Sequence, residues 1–281
     1  MIDRLSTLEV AGRTVAYQDV GCGPAVILVH CSSTSHKEWA PLVAALRDRY
    51  RVLAPDLIGY GKLEPRNRRQ PLDPMADVNV VLGLAALVGQ AVHLAGHSYG
   101  AAVALEAARI LGASAKSLTL VEPVAFHVLK LAGRTTEWAR ISTLSERVQA
   151  AAHAERDKEA AAAYMAFWIG RLRWWFMPPR LRRSIIATVA KVAAEFGFIE
   201  RTSTTLADYA SVGVPRRLIV GGRTRKPARA VTEVLGEILP RARQLVLPRA
   251  GHMSPFTHAT AISHLMAAHI DACERELTSP G

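Results

Sequence analysis

Ser98 lies at the centre of the pentapeptide Gly96-His97-Ser98-Tyr99-Gly100, in a setting that suits a nucleophile. An apolar run over residues 91–95 precedes the pentapeptide, and small residues with helical spacing follow it. A sharp turn from strand to helix strains the backbone at such a serine and exposes its hydroxyl, while the glycines let strand and helix approach closely. The pattern therefore predicts covalent catalysis by Ser98 instead of an ordinary turn.

A serine hydroxyl is a poor nucleophile at neutral pH and needs a base to take its proton. His252 is the preferred candidate among ten histidines, because it follows a late strand and so returns to the sheet edge that carries Ser98. His258, at the start of the last helical pattern, is the alternative base.

The oxyanion that forms during acyl transfer needs backbone N–H donors. The amide of Tyr99, at the start of the helix after Ser98, is expected to supply one of them. The amide of Ser32 is expected to supply the second, because it follows the apolar run over residues 25–29. Cys31 beside it is interpreted as a small packing residue and not as a second nucleophile.

Further motifs accompany these residues: Pro55-Asp56-Leu57-Ile58-Gly59-Tyr60-Gly61, Leu120-Val121-Glu122-Pro123 and Ala250-Gly251-His252-Met253. Together with His30-Cys31-Ser32 and the pentapeptide, they resemble the motifs of the α/β-hydrolase superfamily over nearly the whole chain. The resemblance implies a serine esterase-like fold with a helical cap, no metal and no cofactor. His30-Cys31 replaces the His-Gly that is usual after the first buried strand.

A larger departure concerns the acid that orients the histidine. In most members of the superfamily this acid is an Asp after the next-to-last strand, but here that loop reads GGRTRK and no Asp or Glu occurs between Val212 and Thr232. Glu122, at the end of the strand after the nucleophile helix, is predicted to replace it, and certain haloalkane dehalogenases look similar in this respect. The alternative is a broken triad. Asp56 is expected to bond backbone amides at its turn.

The elements that would position these residues alternate between strand and helix. Apolar strand patterns at residues 8–10, 14–20, 25–29, 51–54, 91–95, 117–121, 217–220 and 244–247 predict an α/β fold. A mostly parallel sheet with helices on both faces follows from that alternation. The pattern is only helical over residues 126–207, which predicts a cap inserted into a core formed by residues 1–125 and 208–281.

The predicted cap is rich in aromatic residues, and an inward aromatic wall favours an apolar substrate group. Trp138, Trp168, Trp174 and Trp175 are therefore candidate substrate-binding residues, although such rings can also simply pack the cap on the core. Basic residues at 223, 225 and 226 follow a late strand, and we expect them to attract an anionic substrate to the rim of the site.

Composition limits the remaining possibilities. The chain has 281 residues, a net charge of +11 and three scattered cysteines, and it shows no nucleic-acid motif. An odd number of cysteines without a secretion-signal pattern predicts reduced thiols and a cytoplasmic location. No apolar run is long enough to span a bilayer, so no membrane insertion is expected. The oligomeric state stays open.

These observations predict a hydrolase that cleaves a small or medium carboxylic ester through an acyl-enzyme. A thioesterase, a lactonase or a carbon–carbon bond hydrolase would use the same residues. The alternative from a different class is a ligand-binding protein with little turnover, which the missing loop Asp favours.

Overall fold

An eight-stranded sheet forms the centre of the protein in the computed structural model, which describes residues 5–61, 73, 75–240 and 242–278. The strands are β1 (Ser6–Val10), β2 (Arg13–Val20), β3 (Ala25–Val29), β4 (Arg51–Pro55), β5 (Val92–His97), β6 (Ala115–Val121), β7 (Arg216–Gly221) and β8 (Ala242–Leu247). Their order is β1-β2-β4-β3-β5-β6-β7-β8. β2 is antiparallel to β1 and β4, and the other pairs are parallel. The predicted mostly parallel α/β sheet is confirmed.

The strands are connected largely by helices. These are α1 (Ala40–Leu46), α2 (Ala76–Val88), α3 (Tyr99–Leu111), α4 (His127–Leu131), α5 (Thr135–His153), α6 (Asp157–Ile169), α7 (Arg171–Trp175), α8 (Pro179–Arg201), α9 (Leu206–Ala210), α10 (Lys226–Ile238), α11 (Ser254–Thr257) and α12 (Ala259–Thr278). Short 3₁₀ turns cover His36–Trp39 and Gly112–Ser114. Within the described residues, no helix has both the length and the apolar character needed to cross a membrane.

Both faces of the sheet are covered, which explains the continuous apolar runs in its middle strands. Every residue of β3 is buried. Ile27 belongs to the core cluster that α2 and α3 form on one face, and Leu28 belongs to the cluster that α1 and α12 form on the other. Full burial of each such side chain contributes about 1.5–3 kcal/mol, so β3 is a rigid support for the loop that follows it.

Six parallel strands, β3 to β8, end at one edge of the sheet. The loop of residues 30–35 follows β3, Ser98 follows β5, and Glu122 follows β6. The loops of residues 222–225 and 248–253 follow β7 and β8. In open α/β sheets this edge is where ligands bind, so the topology alone brings the predicted site residues together.

Helices α4 to α9 all lie between β6 and β7 in the chain, and we call them the inserted helices. Their longest member, α8, is joined to the rest of the protein by a buried ion pair between Lys191 and Asp77 of α2. Tyr60 also donates a hydrogen bond of 2.5 Å to Glu195 of α8. The cap predicted for residues 126–207 falls on these helices, and its role stays a prediction.

Candidate active site

Ser98 occupies a strained turn between β5 and α3. Its φ of 54° and ψ of −117° lie outside the regions that non-glycine residues ordinarily adopt. Such strain costs about 1–3 kcal/mol and persists only where surrounding structure enforces it. A Cβ at Gly96 would lie 2.3 Å from the carbonyl oxygen of Gly100, and a Cβ at Gly100 would lie 2.3 Å from that of His30. The two glycines are therefore required by close packing of the turn.

The turn presents the Ser98 hydroxyl to His252. Ser98 Oγ lies 2.8 Å from Nε2 of His252, and both side chains are buried. Nδ1 of the same ring lies 3.2 Å from Oε2 of Glu122 and donates to it. His258, the alternative base, instead hydrogen-bonds Thr257 at 2.8 Å. The structure therefore brings together the serine, the histidine and the acid that the sequence analysis preferred.

Glu122 is held in place by the loop in which a carboxylate is missing. The backbone N–H of Gly221 donates to Oε1 at 2.5 Å, and the hydroxyl of Thr224 donates to Oε2 at 2.6 Å. Glu122 itself has a φ of 51° and is fully buried. Sequence reasoning missed Thr224, whose only signal was a hydroxyl in the loop without an acid. Asp56 instead accepts from the backbone N–H and the ring of His36, both at 2.8 Å.

The surroundings of His252 and Glu122 favour a neutral imidazole beside a charged carboxylate. Burial lowers the pKa of His252, and its hydrogen bond to Glu122 only partly opposes that effect. Burial alone would raise the pKa of Glu122, but the bonds from His252, Thr224 and Gly221 outweigh it and lower the pKa. At neutral pH, Nε2 is therefore free to accept the serine proton.

The two residues whose amides are predicted to bind the oxyanion lie at the same cavity as Ser98. Ser32 and Tyr99 both line that cavity, and neither N–H donates to an acceptor in the described part of the chain. The Ser32 side chain donates to Oε2 of Glu195 at 2.5 Å, which fixes the loop after β3. Cys31 is buried, and burial together with Glu38 raises the pKa of its thiol, so it stays protonated and packs as expected.

A second histidine–carboxylate pair, His97 and Glu38, holds the main chain of the loop that carries His252. His97 donates from Nδ1 to Oε1 of Glu38 at 2.5 Å and from Nε2 to the carbonyl oxygen of His252 at 2.8 Å. Because both ring nitrogens face acceptors, the imidazole carries both protons. Burial would lower the pKa of His97, but Glu38 outweighs it and raises the pKa. Glu38 also accepts from the N–H of Cys31 at 2.8 Å, so the pair links three loops of the site.

The same residues give the one potential metal-ligand group among the described residues. Ligand atoms of Cys31, Glu38 and His97 lie within 4.8 Å of one another. A ring nitrogen that carries a proton cannot bind a metal, and both nitrogens of His97 donate hydrogen bonds. We assign the group to hydrogen bonding that positions the site.

The cavity beside Ser98 is small and mainly apolar. Its volume is about 20 Å³, which is room for roughly one water molecule. Side chains of the inserted helices and of the segment after β6 line it: Val124, Phe126, Tyr164, Trp168, Val192, Phe196 and Ile199. An acyl group larger than a water molecule therefore enters only if these side chains move.

Trp168 is the predicted aromatic residue that the structure brings to this cavity. Its ring stacks on the ring of His252, with 3.6 Å between centroids and 16° between planes. Trp174 is buried in the packing of the inserted helices, and Trp138 is partly buried against the same cluster. Trp175 is 73% exposed. These three are absent from the described lining of the cavity.

Glu195 is a polar group in this apolar wall that sequence reasoning missed. Burial raises its pKa to about 7, although Lys191 and the hydroxyls of Ser32 and Tyr60 act in the opposite direction. It lies 163 residues from Ser32 in the chain, so no local pattern could have linked the two. Its carboxyl group joins the inserted helices to the loop that carries the Ser32 amide.

Comparison with known families gives a match over most of the chain. The sequence profile of the Alpha/beta hydrolase family matches residues 26–264. A pimeloyl-[acyl-carrier protein] methyl ester esterase of Methylococcus capsulatus is 36% identical over 102 residues, which is 36% of this chain and 37% of that protein. The acetyltransferase component of the acetoin cleaving system of Pseudomonas putida is 34% identical over 115 residues, covering 40% of this chain and 31% of that protein. The matches thus span only about a third of these curated relatives.

Solved structures agree with the fold over nearly the full chain. A hydrolase from Pseudomonas aeruginosa superposes with a TM-score of 0.79 at 23% identity, covering 96% of this chain and 99% of the other. An enol-lactonase from Burkholderia xenovorans superposes with a TM-score of 0.75 at 20% identity, covering 95% and 100%. At these identities the likeness concerns the fold alone.

Proposed function

Since the chain belongs to the alpha/beta hydrolase family, we propose that it is a serine hydrolase that cleaves a small or medium carboxylic ester through an acyl-enzyme. One observation carries this proposal. Ser98, His252 and Glu122 form a continuous chain of hydrogen bonds, and Ser98 lines a cavity together with Ser32 and Tyr99.

Acylation follows from the direction of these hydrogen bonds. Ser98 Oγ attacks the ester carbonyl carbon as Nε2 of His252 takes the hydroxyl proton. The carbonyl oxygen becomes an oxyanion that accepts from the N–H groups of Ser32 and Tyr99. The charge of Glu122 stabilises the imidazolium, which then gives its proton to the leaving alkoxide, and the carbon–oxygen bond breaks.

Deacylation repeats the sequence with water. His252 takes a proton from a water molecule, whose oxygen attacks the acyl carbonyl carbon and again places charge between the two amides. The intermediate collapses, Ser98 recovers its proton from His252, and the carboxylic acid leaves. Neither half of the reaction needs a group that the chain does not contain, so a small-molecule ester and water are the only reactants.

The inserted helices act as a cap in this proposal, because they supply most of the apolar wall of the cavity. That wall suits an uncharged acyl group. Trp168 covers one face of His252 and lines the cavity, so this ring lies beside an acyl group bound there. The three free cysteines support a reducing, cytoplasmic setting.

A fluorophosphonate probe tests the nucleophile. The wild-type protein should be labelled stoichiometrically at Ser98, and Ser98→Ala should be unlabelled while keeping the unfolding midpoint of the wild type. Loss of a triad nucleophile costs on the order of 10⁶ in turnover, so ester hydrolysis should vanish in the same variant. A wild-type protein that is folded and yet unlabelled would instead be a ligand-binding protein.

A substrate panel tests the bond that is cleaved. Aryl esters, thioesters, lactones and carbon–carbon substrates of matched acyl length would be compared by kcat/KM, with Ser98→Ala as the blank for each. We expect esters with short apolar acyl groups to rank first. A higher rank for another class would replace the ester by that substrate and keep the nucleophile.

A further inference from the structure

A second, larger cleft shares Trp168 with the Ser98 cavity. Its volume is about 430 Å³, and Trp168 and His252 form part of its wall. Trp168 also lines the Ser98 cavity, so this residue borders both spaces. The large cleft therefore also borders the proposed catalytic histidine.

Four arginines from three separate segments line this cleft. Arg173 comes from α7, Arg223 and Arg225 from the loop after β7, and Arg249 from the loop after β8. All four are exposed, and none of their guanidinium groups bonds or pairs with a carboxylate in the described part of the chain. Sequence analysis placed Arg223 and Arg225 at the rim, but the contributions of Arg173 and Arg249 were not expected.

Four positive charges that line one concave space create a positive potential, which attracts anions to it. Guanidinium groups present planar pairs of N–H donors that match the oxygens of a carboxylate or a phosphate. Thr224 and His258 add further polar groups to the same lining. The chemistry of the cleft therefore suits an oxyanion attached to an organic body.

The direction of proton transfer assigns this cleft to one half of the substrate. His252 gives its proton to the leaving atom, so the leaving group must lie on the side of the histidine. The acyl half is bound to Ser98 and faces the small apolar cavity. The large cleft, with His252 in its wall, is the space that remains for the leaving alcohol or thiol.

We infer that this arginine cleft binds an anionic group on the leaving half of the substrate, so that the preferred substrate joins a small apolar acyl group to an alcohol or thiol bearing a carboxylate or a phosphate. The inference rests on the proposed function, since it assumes that an acyl group is transferred to Ser98. It assigns the two spaces to the two halves of the molecule, with Trp168 above the scissile bond.

Paired substrates test the assignment. Butyrate esters of 4-hydroxybenzoate, of 4-hydroxyphenyl phosphate and of neutral 4-hydroxybenzamide place a carboxylate, a phosphate or no charge on the leaving half. A 4-carbamoylphenyl succinate monoester places the charge on the acyl half instead. The double variant Arg223→Gln/Arg225→Gln removes half of the cleft charge, and Arg180→Gln/Arg183→Gln at two exposed positions of α8 removes the same charge elsewhere.

The wild-type protein should hydrolyse the anionic leaving-group esters with higher kcat/KM than the neutral ester, and the cleft variant should lower that preference about tenfold, because it loses two exposed charge contacts. Salt raised from ~20 mM to ~500 mM should shrink the same preference. The α8 variant should keep it. The phosphate and carboxylate arms identify which oxyanion fits better.

Equal preference in the wild type and the cleft variant, or a larger gain from a charge on the acyl half, would overturn the inference. Binding separates it from the proposed function. Calorimetry with Ser98→Ala should show that 4-hydroxyphenyl phosphate or 4-hydroxybenzoate binds more tightly than 4-hydroxybenzamide, and the cleft substitutions should remove the difference. If no ester is hydrolysed, the proposed function fails, and the cleft is still judged by these affinities.

Discussion

Glu122→Gln tests the acid most directly, because it removes one charge and almost no volume. In the wild type both carboxylate oxygens accept hydrogen bonds, Oε1 from the N–H of Gly221 and Oε2 from Thr224 and His252. A glutamine has only one oxygen to offer. If that oxygen stays with the backbone N–H of Gly221, the new NH₂ group faces Nδ1 of His252.

The NH₂ group is a donor, so Nδ1 must become an acceptor and the ring proton must move to Nε2. In that tautomer Nε2 cannot take the proton of Ser98, which lies 2.8 Å away. The equivalent loss of the acid in a serine protease lowers turnover about 10⁴-fold, and we expect a similar loss here. This corresponds to about 5.5 kcal/mol of transition-state stabilisation.

The assay is hydrolysis of a neutral aryl ester under saturating conditions, with probe labelling of Ser98 as a second readout. Glu106→Gln is the matched control, because Glu106 is also a buried carboxylate and accepts from Thr204 and Tyr209 at 2.8 and 3.0 Å. Both variants should lose some stability to urea, and only Glu122→Gln should lose turnover. Turnover of Glu122→Gln within about tenfold of the wild type would refute the tautomer argument and leave a Ser–His pair.

Three further predictions follow from burial and close packing. Activity should fall as the pH drops through a single midpoint below ~6.5, the ordinary imidazole value, because only neutral His252 accepts the proton and burial lowers its pKa; a pH–rate profile with a midpoint above 7 would contradict this. Gly100→Ala should cost about 3 kcal/mol or more in urea unfolding, because its Cβ would lie 2.3 Å from main-chain oxygens, whereas Gly213→Ala, with open space, should be nearly neutral. Lys191→Met should lower the free energy of unfolding by about 3–5 kcal/mol, because it leaves the buried carboxylate of Asp77 without its cation. Adding Asp77→Asn should restore part of that loss, and additive losses in the double variant would argue against the ion pair.

The sequence predicted the parts of the site that depend on local pattern and strand order. Apolar runs such as residues 25–29 and the small residues around Ser98 identify strands and the elbow, and parallel strands deliver their ends to one edge. The helical character of the segment between β6 and β7 was also visible. Glu122 was predicted only because a carboxylate was missing elsewhere, and the structure places it against His252.

The remainder depends on contacts between distant segments, which leave no periodic signal. Glu195 meets Ser32, and Trp168 meets His252, only after the inserted helices fold over the sheet. Trp174 is buried and its neighbour Trp175 is exposed. The sequence could not distinguish the two, because a helix of five residues is too short to show an apolar stripe. The arginine cleft assembles from three segments for the same reason.

The position of the acid has a consequence for how this protein can change over generations. The loop after β7 contributes a backbone N–H and one hydroxyl to Glu122, and a serine at 224 would keep that hydroxyl. Arg223 and Arg225, on either side of residue 224, line the arginine cleft and make no hydrogen bond to Glu122 or His252. Substitutions at those two positions can therefore change the ligand preference of the cleft while turnover is preserved. Residues that hold Glu122 and residues that line the cleft alternate along this one loop, so positions 223 and 225 can be varied in directed evolution while 221 and 224 are kept.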